Sequence, residues 1–109
     1  MGKLTLREVC SVVNVSRRAV QGYEKAGLVS ATGRNERGYL LYDEEARERI
    51  KKIKLFQDIG FSVREIVVLI DEPDEELKVV LQKQLEILRT KQRHTEDMIT
   101  IVQNMIDKL

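Results

Sequence analysis

Apolar residues near the start of the chain recur at helical spacing in two short segments. The first segment has them at positions i, i+3, i+4 and i+7, which is the spacing of one buried helix stripe. They are Leu6, Val9, Cys10 and Val13. Thr5 and Glu8 form a capping box that starts this helix, and Ser16 is a favoured N-cap for a second helix that runs to Ala26 and stops at Gly27. The pattern predicts two helices that meet across a very short turn.

The second helix has an apolar face and a basic face. Ala19, Val20 and Tyr23 are spaced to point inward. The outward positions carry positive charge or a side-chain amide, and they are Arg17, Arg18, Gln21 and Lys25. Two helices with a tight turn and such an outer face are typical of a DNA-reading helix-turn-helix, in which arginine binds guanine or phosphate. A solvated helix face without a partner explains the same charges equally well.

A short hairpin, or wing, is predicted after the second helix. Residues 31–38 are polar and punctuated by glycine, and the apolar strand-like residues 39–42 follow. We expect Gly33 and Gly38 at the bends, and Arg34 and Arg37 at the tip, where they could reach a phosphate backbone. Taken alone, this segment favours the other interpretation, a flexible surface loop with incidental arginines.

Two more helices are predicted between Asp43 and Asp71. Asp43 can cap the first, which stops at Gly60, and Ser62 with Glu65 forms a second capping box that opens the other. The inward positions of these helices are Ala46, Ile50, Ile53, Phe56 and Ile59, followed by Ile66, Leu69 and Ile70. Both helices therefore have one face available for a core.

Nothing breaks the helix that is predicted after Pro73, a residue suited to a first turn. From Asp74 to Leu109 it would be roughly 50 Å long, more than a domain of this size needs. Two series of residues, each with a spacing of seven, alternate along this helix at intervals of three and four, as in a coiled coil. They are Leu85, Gln92, Ile99 and Ile106, and Leu88, Thr95, Val102 and Leu109. We expect a second copy of the chain to cover this stripe, while Gln92 and Thr95 either fix its register or leave it locally open.

Composition narrows the possible chemistry. The 109 residues suffice for one compact domain with an appended arm, and 42% hydrophobic with 34% charged residues favours a soluble chain. Because Cys10 and His94 are the only residues of their types, we expect no intrachain disulfide, no metal and no other cofactor. No nucleophile–base pair or phosphate-binding glycine loop is apparent, so we do not expect an enzyme.

Charge and hydropathy indicate where the chain acts. Residues 1–64 hold 13 Lys and Arg against 8 Asp and Glu, whereas residues 65–109 hold 6 against 10. A basic front half favours a polyanion-facing head. No apolar run has the length of a signal peptide core or of a membrane span, so we expect a cytoplasmic chain that binds no membrane.

Three separated stretches resemble the MerR family of bacterial transcription regulators. They are VSRRAVQGYEKAGLV at 15–29, GYLLY at 38–42 and DIGFSVREI at 58–66, and the resemblance covers residue 4 to about residue 71 in order. It implies an all-α fold with a small β-wing. Residues 1–72 would form a winged helix-turn-helix head with an extra helical pair as a second wing. Residues 73–109 would form a dimerisation helix, paired with its twin as an antiparallel coiled coil.

The resemblance also implies a function and roles for individual residues. It implies a homodimer that binds a near-palindromic promoter element, distorts it and changes how RNA polymerase engages the promoter. By the same resemblance, Arg18 is a recognition-helix contact, Tyr23 is the tyrosine of the family's Arg-Tyr-Tyr-Glu segment, and Tyr39 is a wing tyrosine near phosphate. The other candidate DNA contacts rest on side-chain chemistry and placement, and they are Arg17, Gln21, Lys25, Arg34 and Arg37.

Three positions depart from the family pattern. Gln21 and Gly22 stand where the family usually has arginine and an aromatic residue, and Leu40 stands where its wing usually has arginine. Fewer phosphate contacts predict a weaker and less salt-dependent grip on DNA. The departures leave a second function open, that of a dimeric protein-interaction or adaptor module with weak or no DNA binding. Neither the cysteines of metal-sensing members nor the large C-terminal domain of drug-sensing members is present, so we expect no effector domain and name no effector.

Overall fold

The computed structural model describes residues 2–109 as a mostly helical chain with one small sheet. In chain order the elements are β1 (Leu4–Thr5), α1 (Leu6–Val13), α2 (Arg17–Lys25), β2 (Gly33–Arg34), β3 (Leu40–Tyr42), α3 (Glu44–Asp58), α4 (Val63–Leu69) and α5 (Asp74–Asp107). The predicted fold class, mostly helical with a small β-wing, is confirmed. The chain divides into two compact units, one ending at Asp71 and the other spanning Glu72–Leu109.

The helix-turn-helix is formed by α1 and α2, and local side-chain chemistry sets its ends. The amide of Glu8 donates to the hydroxyl of Thr5, and the amide of Thr5 donates to the carboxylate of Glu8 at 2.9 Å, which completes the capping box. Asn14 closes α1 in the left-handed region, with φ 59° and ψ 53°. Ser16 then accepts the amide hydrogen of Ala19 at 3.0 Å and starts α2. The turn between the helices is therefore as short as the sequence predicts.

The sheet has three antiparallel strands in the order β1–β3–β2. Leu41 pairs with Gly33 on one side and with Thr5 on the other. Gly38 has a φ of 82°, as its predicted place at a bend requires. The prediction for Gly33 is wrong, because it lies inside β2 without a positive φ. A Cβ there would be 3.0 Å from the ammonium nitrogen of Lys3.

The core of the first unit lies where α1, α2, α3, α4 and the sheet meet. Its fully buried side chains are Val9, Val20, Tyr23, Tyr42, Ile50, Ile53 and Ile66. The inward positions predicted for α3 and α4 are buried except Ile59, which is half-buried after the end of α3. A capping box of Ser62 and Glu65 opens α4 as predicted. This core holds the two helices of the helix-turn-helix against α3.

The second unit is the helix α5 of 34 residues. Pro73 is its N-cap rather than part of its first turn, since the ψ of 153° keeps this residue extended and the helix begins at Asp74. Most of its side chains are exposed in the single chain, including every residue of the two heptad series. Within residues 2–109, no helix is both long enough and apolar enough to cross a membrane.

Candidate nucleic-acid interface

The outer face of α2 presents four polar side chains to solvent, and they are Arg17, Arg18, Gln21 and Lys25. The opposite face is buried, with Val20 at 0% and Tyr23 at 1% exposure. The ion pairs found in residues 2–109 join Arg49 to Asp71, Lys54 to Asp58 and Arg89 to Glu86, so no carboxylate of the described chain neutralises the guanidinium groups of α2. The face is therefore positively charged and available to an anionic partner.

The first turn of α2 adds to this potential. Arg17 and Arg18 occupy the first two helical positions after Ser16. The amide groups of a first turn and the helix dipole favour an anion at this end. No acidic residue lies in the first turn of α2 to oppose it. Positive side chains and helix dipole therefore act in the same direction here.

A cavity of about 460 Å³ lies beside this turn. It is lined by Thr5, Leu6, Arg7, Arg17, Tyr39 and Leu40. Residues of α1, α2 and the wing thus contribute to one concave surface with apolar side chains at Leu6 and Leu40 and charged groups at Arg7 and Arg17. Such a surface suits the sugar and phosphate of a nucleic-acid backbone. Sequence reasoning missed Arg7, although its place in the first turn of α1 and its charge are both readable from the sequence.

The wing tip is held by a side chain that sequence reasoning also missed. The amide oxygen of Asn35 accepts the backbone N–H of Arg37 at 2.9 Å and that of Tyr39 at 3.0 Å, a turn for which asparagine is favoured. Arg37 and Tyr39 are exposed, and Tyr39 retains 57% of its surface. Arg34 lies in β2 rather than at the tip, and its guanidinium donates to the carbonyl of Gly38 at 2.7 Å. Arg34 therefore braces the hairpin, whereas Arg37 is exposed at its end.

Tyr23 does not lie on this surface, which corrects its assignment as a DNA contact. Its hydroxyl donates to the side-chain carbonyl of Gln57 on α3 at 2.5 Å. Burial, with a smaller contribution from the negative charge of Asp58, raises the pKa of Tyr23 above its ordinary value. The tyrosine fills the core between α2 and α3, as the helical periodicity of α2 predicts.

Tyr42 connects the wing to α2. Its side chain is fully buried, and its hydroxyl donates to the carboxylate of Glu24. Burial and this hydrogen bond raise the pKa of Tyr42 above its ordinary value, so the hydroxyl keeps its proton and keeps donating even at alkaline pH. Because Glu24 belongs to α2 and Tyr42 to β3, the contact fixes the position of the hairpin relative to the exposed basic face.

The residues of the two heptad series on α5, which we call the seam, line one side of the helix. Two shallow grooves follow this side. One of about 350 Å³ is lined by Asp74, Leu77, Lys78, Leu81, Gln82 and Leu85. The other, of about 300 Å³, is lined by Thr95, Met98, Ile99, Val102, Gln103 and Ile106. Leu81 continues the Leu88 series by one heptad, and Met98 widens the apolar stripe beyond the two series.

These features define a winged helix-turn-helix protein. Two helices meet across a short turn, the second exposes a basic face, and a hairpin lies beside them. The family model described as MerR HTH family regulatory protein matches residues 4–72. The chain belongs to the MerR family.

Comparison with individual proteins gives the same result. The chain is 32% identical over 92% of its length to the HTH-type transcriptional activator mta of Bacillus subtilis, and 30% identical over 96% to the mercuric resistance operon regulatory protein of Bacillus cereus. It spans 39% of the length of the first and 82% of the second.

Solved structures show the same fold. The N-terminal part of the Bacillus subtilis activator matches 95% of this chain and 98% of its own, with a TM-score of 0.74 at 31% identity. HiNmlR, a MerR family regulator lacking the sensor domain and bound to promoter DNA, matches 96% of this chain and 88% of its own. Its TM-score is 0.72 at 15% identity, which shows a shared fold.

Proposed function

We propose that the protein is a sequence-specific DNA-binding transcriptional regulator. The observation that carries this proposal is the exposed basic face of α2, where Arg17 and Arg18 have no carboxylate partner among residues 2–109. An arginine on such a helix can hold guanine O6 and N7, or a phosphate, and the outer face of the second helix is the part of a helix-turn-helix that enters the major groove. Membership of the MerR family supports the proposal.

The wing and the cavity beside α2 supply contacts to the DNA backbone in this proposal. Arg37 and Tyr39 reach phosphate from the wing, and Arg7 does so from α1. Such contacts fix the position and orientation of the recognition helix without reading bases. Because Tyr42 ties the wing to Glu24 on α2, a phosphate bound at the wing also constrains the helix.

We propose further that the protein is a homodimer through α5. The two heptad series are complementary when two copies run antiparallel about residue 97, because each member of one series then faces a member of the other. Leu85 faces the partner's Leu109, Leu88 the partner's Ile106, Gln92 the partner's Val102 and Thr95 the partner's Ile99. The pairing would cover apolar side chains that are exposed in the single chain, such as Ile99 at 62% and Ile106 at 58%.

A dimer of this kind carries two basic heads for a near-palindromic site. In the proposal the two α2 helices bind successive major grooves, and the DNA bends and untwists to meet both. This deformation changes how RNA polymerase engages the promoter. In this proposal the protein acts in the cytoplasm, where bacterial DNA lies.

The experiment is a titration of a fluorescein-labelled duplex from directly upstream of the gene, followed by anisotropy. The variant carries R17A and R18A together, and R93A on α5 is a control that removes a positive charge outside α2. We expect the double variant to bind at least about 100-fold more weakly, since two contacts are lost in each of two subunits. R93A should bind within about twofold of the wild type, and circular dichroism checks that every variant is folded.

The opposite outcome supports another function. If the double variant binds DNA as tightly as the wild type, α2 does not read DNA. If the wild-type dimer binds no duplex in a salt-sensitive manner, the adaptor function suggested by Gln21, Gly22 and Leu40 takes its place.

A further inference from the structure

The cavity beside the first turn of α2 is lined by two arginines that come from different helices. Arg7 belongs to the first turn of α1, and Arg17 is the first residue of α2. Both side chains are exposed, and neither guanidinium takes part in an ion pair within residues 2–109. The cavity lining contains no acidic residue. Two positive charges on one concave surface, without a carboxylate between them, point to an anionic ligand.

The carboxylate nearest in sequence is already engaged elsewhere. Glu8 follows Arg7 in the chain and does not line the cavity. Its carboxylate accepts the backbone N–H of Thr5 at 2.9 Å and the hydroxyl of Thr5 at 3.0 Å. These bonds belong to the capping box that starts α1. Both guanidinium groups therefore remain available to a ligand.

The other walls of the cavity favour a phosphate that is joined to sugar. Leu6 and Leu40 are half-buried and give the cavity apolar surface, against which sugar carbons can pack. Tyr39 retains 57% of its surface and adds a hydroxyl that can donate to a phosphate oxygen. A free inorganic anion has no use for the apolar walls, whereas the backbone of a nucleic acid uses both kinds of surface.

The helical period places Arg17 at the edge of the basic face of α2. Each residue of a helix advances by about 100°, so Arg18, Gln21 and Lys25 lie within about 60° of one another. Arg17 lies about 40° beyond Gln21 and only about 60° from the buried Val20. When a helix occupies the major groove, the centre of its exposed face meets the base edges and its flanks meet the sugar–phosphate walls. Arg17 therefore stands on the flank that carries the cavity.

We propose that Arg7 and Arg17 together hold one phosphate of the operator backbone in this cavity, while Arg18 and Gln21 read the bases. This inference rests on the proposed function and deepens it, because it divides the basic face of α2 into a phosphate-binding edge and a base-reading centre. A phosphate held from α1 and α2 at once fixes the orientation of the helix-turn-helix on the duplex. It does so equally at every sequence, since a phosphate contact carries no base information.

The test measures the binding of full-length R7A, R17A, R18A and R7A/R17A to two duplexes by anisotropy at low salt. One duplex comes from directly upstream of the gene, and the other is a scrambled duplex of the same composition. We expect R7A and R17A each to weaken binding to both duplexes by the same factor, about fivefold or more. R18A should weaken binding to the upstream duplex at least about tenfold more than binding to the scrambled duplex.

A shared phosphate also makes the two substitutions non-additive. Once one arginine is removed, the other holds the phosphate less well and has less to lose. We therefore expect R7A/R17A to bind about threefold or more tightly than the product of the two single effects predicts. R93A, which removes a positive charge on α5, is the control and should bind both duplexes within about twofold of the wild type. Circular dichroism checks that every variant is folded.

The other outcomes overturn the inference. If R17A weakens binding to the upstream duplex much more than to the scrambled duplex, Arg17 reads bases. If R7A or R17A alone changes neither Kd, or if their effects multiply, the two arginines share no phosphate. If the wild type binds neither duplex, the proposed function fails first and the inference with it.

Discussion

Arg49 and Asp71 form a bidentate ion pair in which each of two guanidinium nitrogens donates to one carboxylate oxygen at 2.9 Å. The third nitrogen, Nε of Arg49, donates to the backbone carbonyl of Leu28 at 2.5 Å. One side chain of α3 thus joins the loop that follows α2 to the residue at the end of the first unit. Its three bonds use the planar geometry of arginine, which lysine cannot reproduce.

This pair predicts how stability depends on pH. The hydrogen bonds from Arg49 hold the pKa of the Asp71 carboxyl below its ordinary value of 3.8. A carboxyl with a lowered pKa adds stability above its unfolded-state pKa and loses it as the pH falls through the folded-state pKa. We expect D71N to lower the unfolding midpoint by a few degrees at most near neutral pH, because the carboxylate is exposed to solvent. The difference should disappear in acid, as measured by thermal unfolding of both proteins over a pH series. An unchanged difference at every pH would contradict the assignment.

Tyr23 provides a second prediction, since the structure makes it a core residue. Y23F removes the hydroxyl that donates to Gln57 and should lower the free energy of unfolding by about 1 kcal/mol, as measured by urea denaturation. DNA affinity at a temperature where the variant is fully folded should stay within about twofold of the wild type. Normal stability with a large loss of affinity would instead indicate a direct contact between Tyr23 and DNA.

Antiparallel pairing of α5 predicts which cysteines can form a disulfide across the dimer. In the proposed register the two copies of residue 88 lie about 27 Å apart, whereas residue 88 of one copy is beside residue 106 of the other. A disulfide requires Cα atoms within about 7 Å. In a C10S background, L88C alone and I106C alone should not cross-link on oxidation, but a refolded mixture of the two should give a covalent dimer on a non-reducing gel. If L88C alone cross-links efficiently, the helices are parallel.

A charge in the seam should separate the two copies. I99D would bury an unpaired carboxylate, so we expect the variant to sediment as a monomer at micromolar concentration. Its DNA affinity should fall by about 100-fold or more, because two half-sites are no longer bound by one tethered molecule. N104K, which changes the charge on the side of α5 away from the proposed seam, should remain a dimer. A dimeric I99D would show that another surface holds the copies together.

The parts of the fold that could be predicted from the sequence are those with local signals. Thr5, Asn14 and Ser16 determine where α1 and α2 begin and end through bonds to residues a few positions away. The strand β1 could not be predicted, because two residues have no recognisable alternation and its partner Tyr42 is far along the chain. The bonds of Arg49 likewise depend on tertiary structure.

The candidate site likewise contains residues that could be placed from the sequence and residues that could not. The exposed positions of α2 follow from its period, so Arg17 and Arg18 could be placed from the sequence. Periodicity also placed Tyr23 inward, and the structure agrees with this placement rather than with a direct contact to DNA. The bracing of the hairpin by Arg34 could not be foreseen, since it depends on where the carbonyl of Gly38 comes to lie. Asparagine is favoured in turns, so the role of Asn35 could have been predicted from the sequence.

The salt dependence of DNA binding tests most directly whether the basic head neutralises phosphate. The measurement is the Kd of the wild type and of R37A for the upstream duplex over a series of salt concentrations. For the wild type, log K should fall linearly with log salt, with a slope of about −0.9 for each phosphate neutralised. R37A should reduce the magnitude of this slope by about 1.8, because a dimer loses one phosphate contact in each subunit. A wild-type affinity that does not change with salt, or no binding at all, would contradict a DNA-binding head.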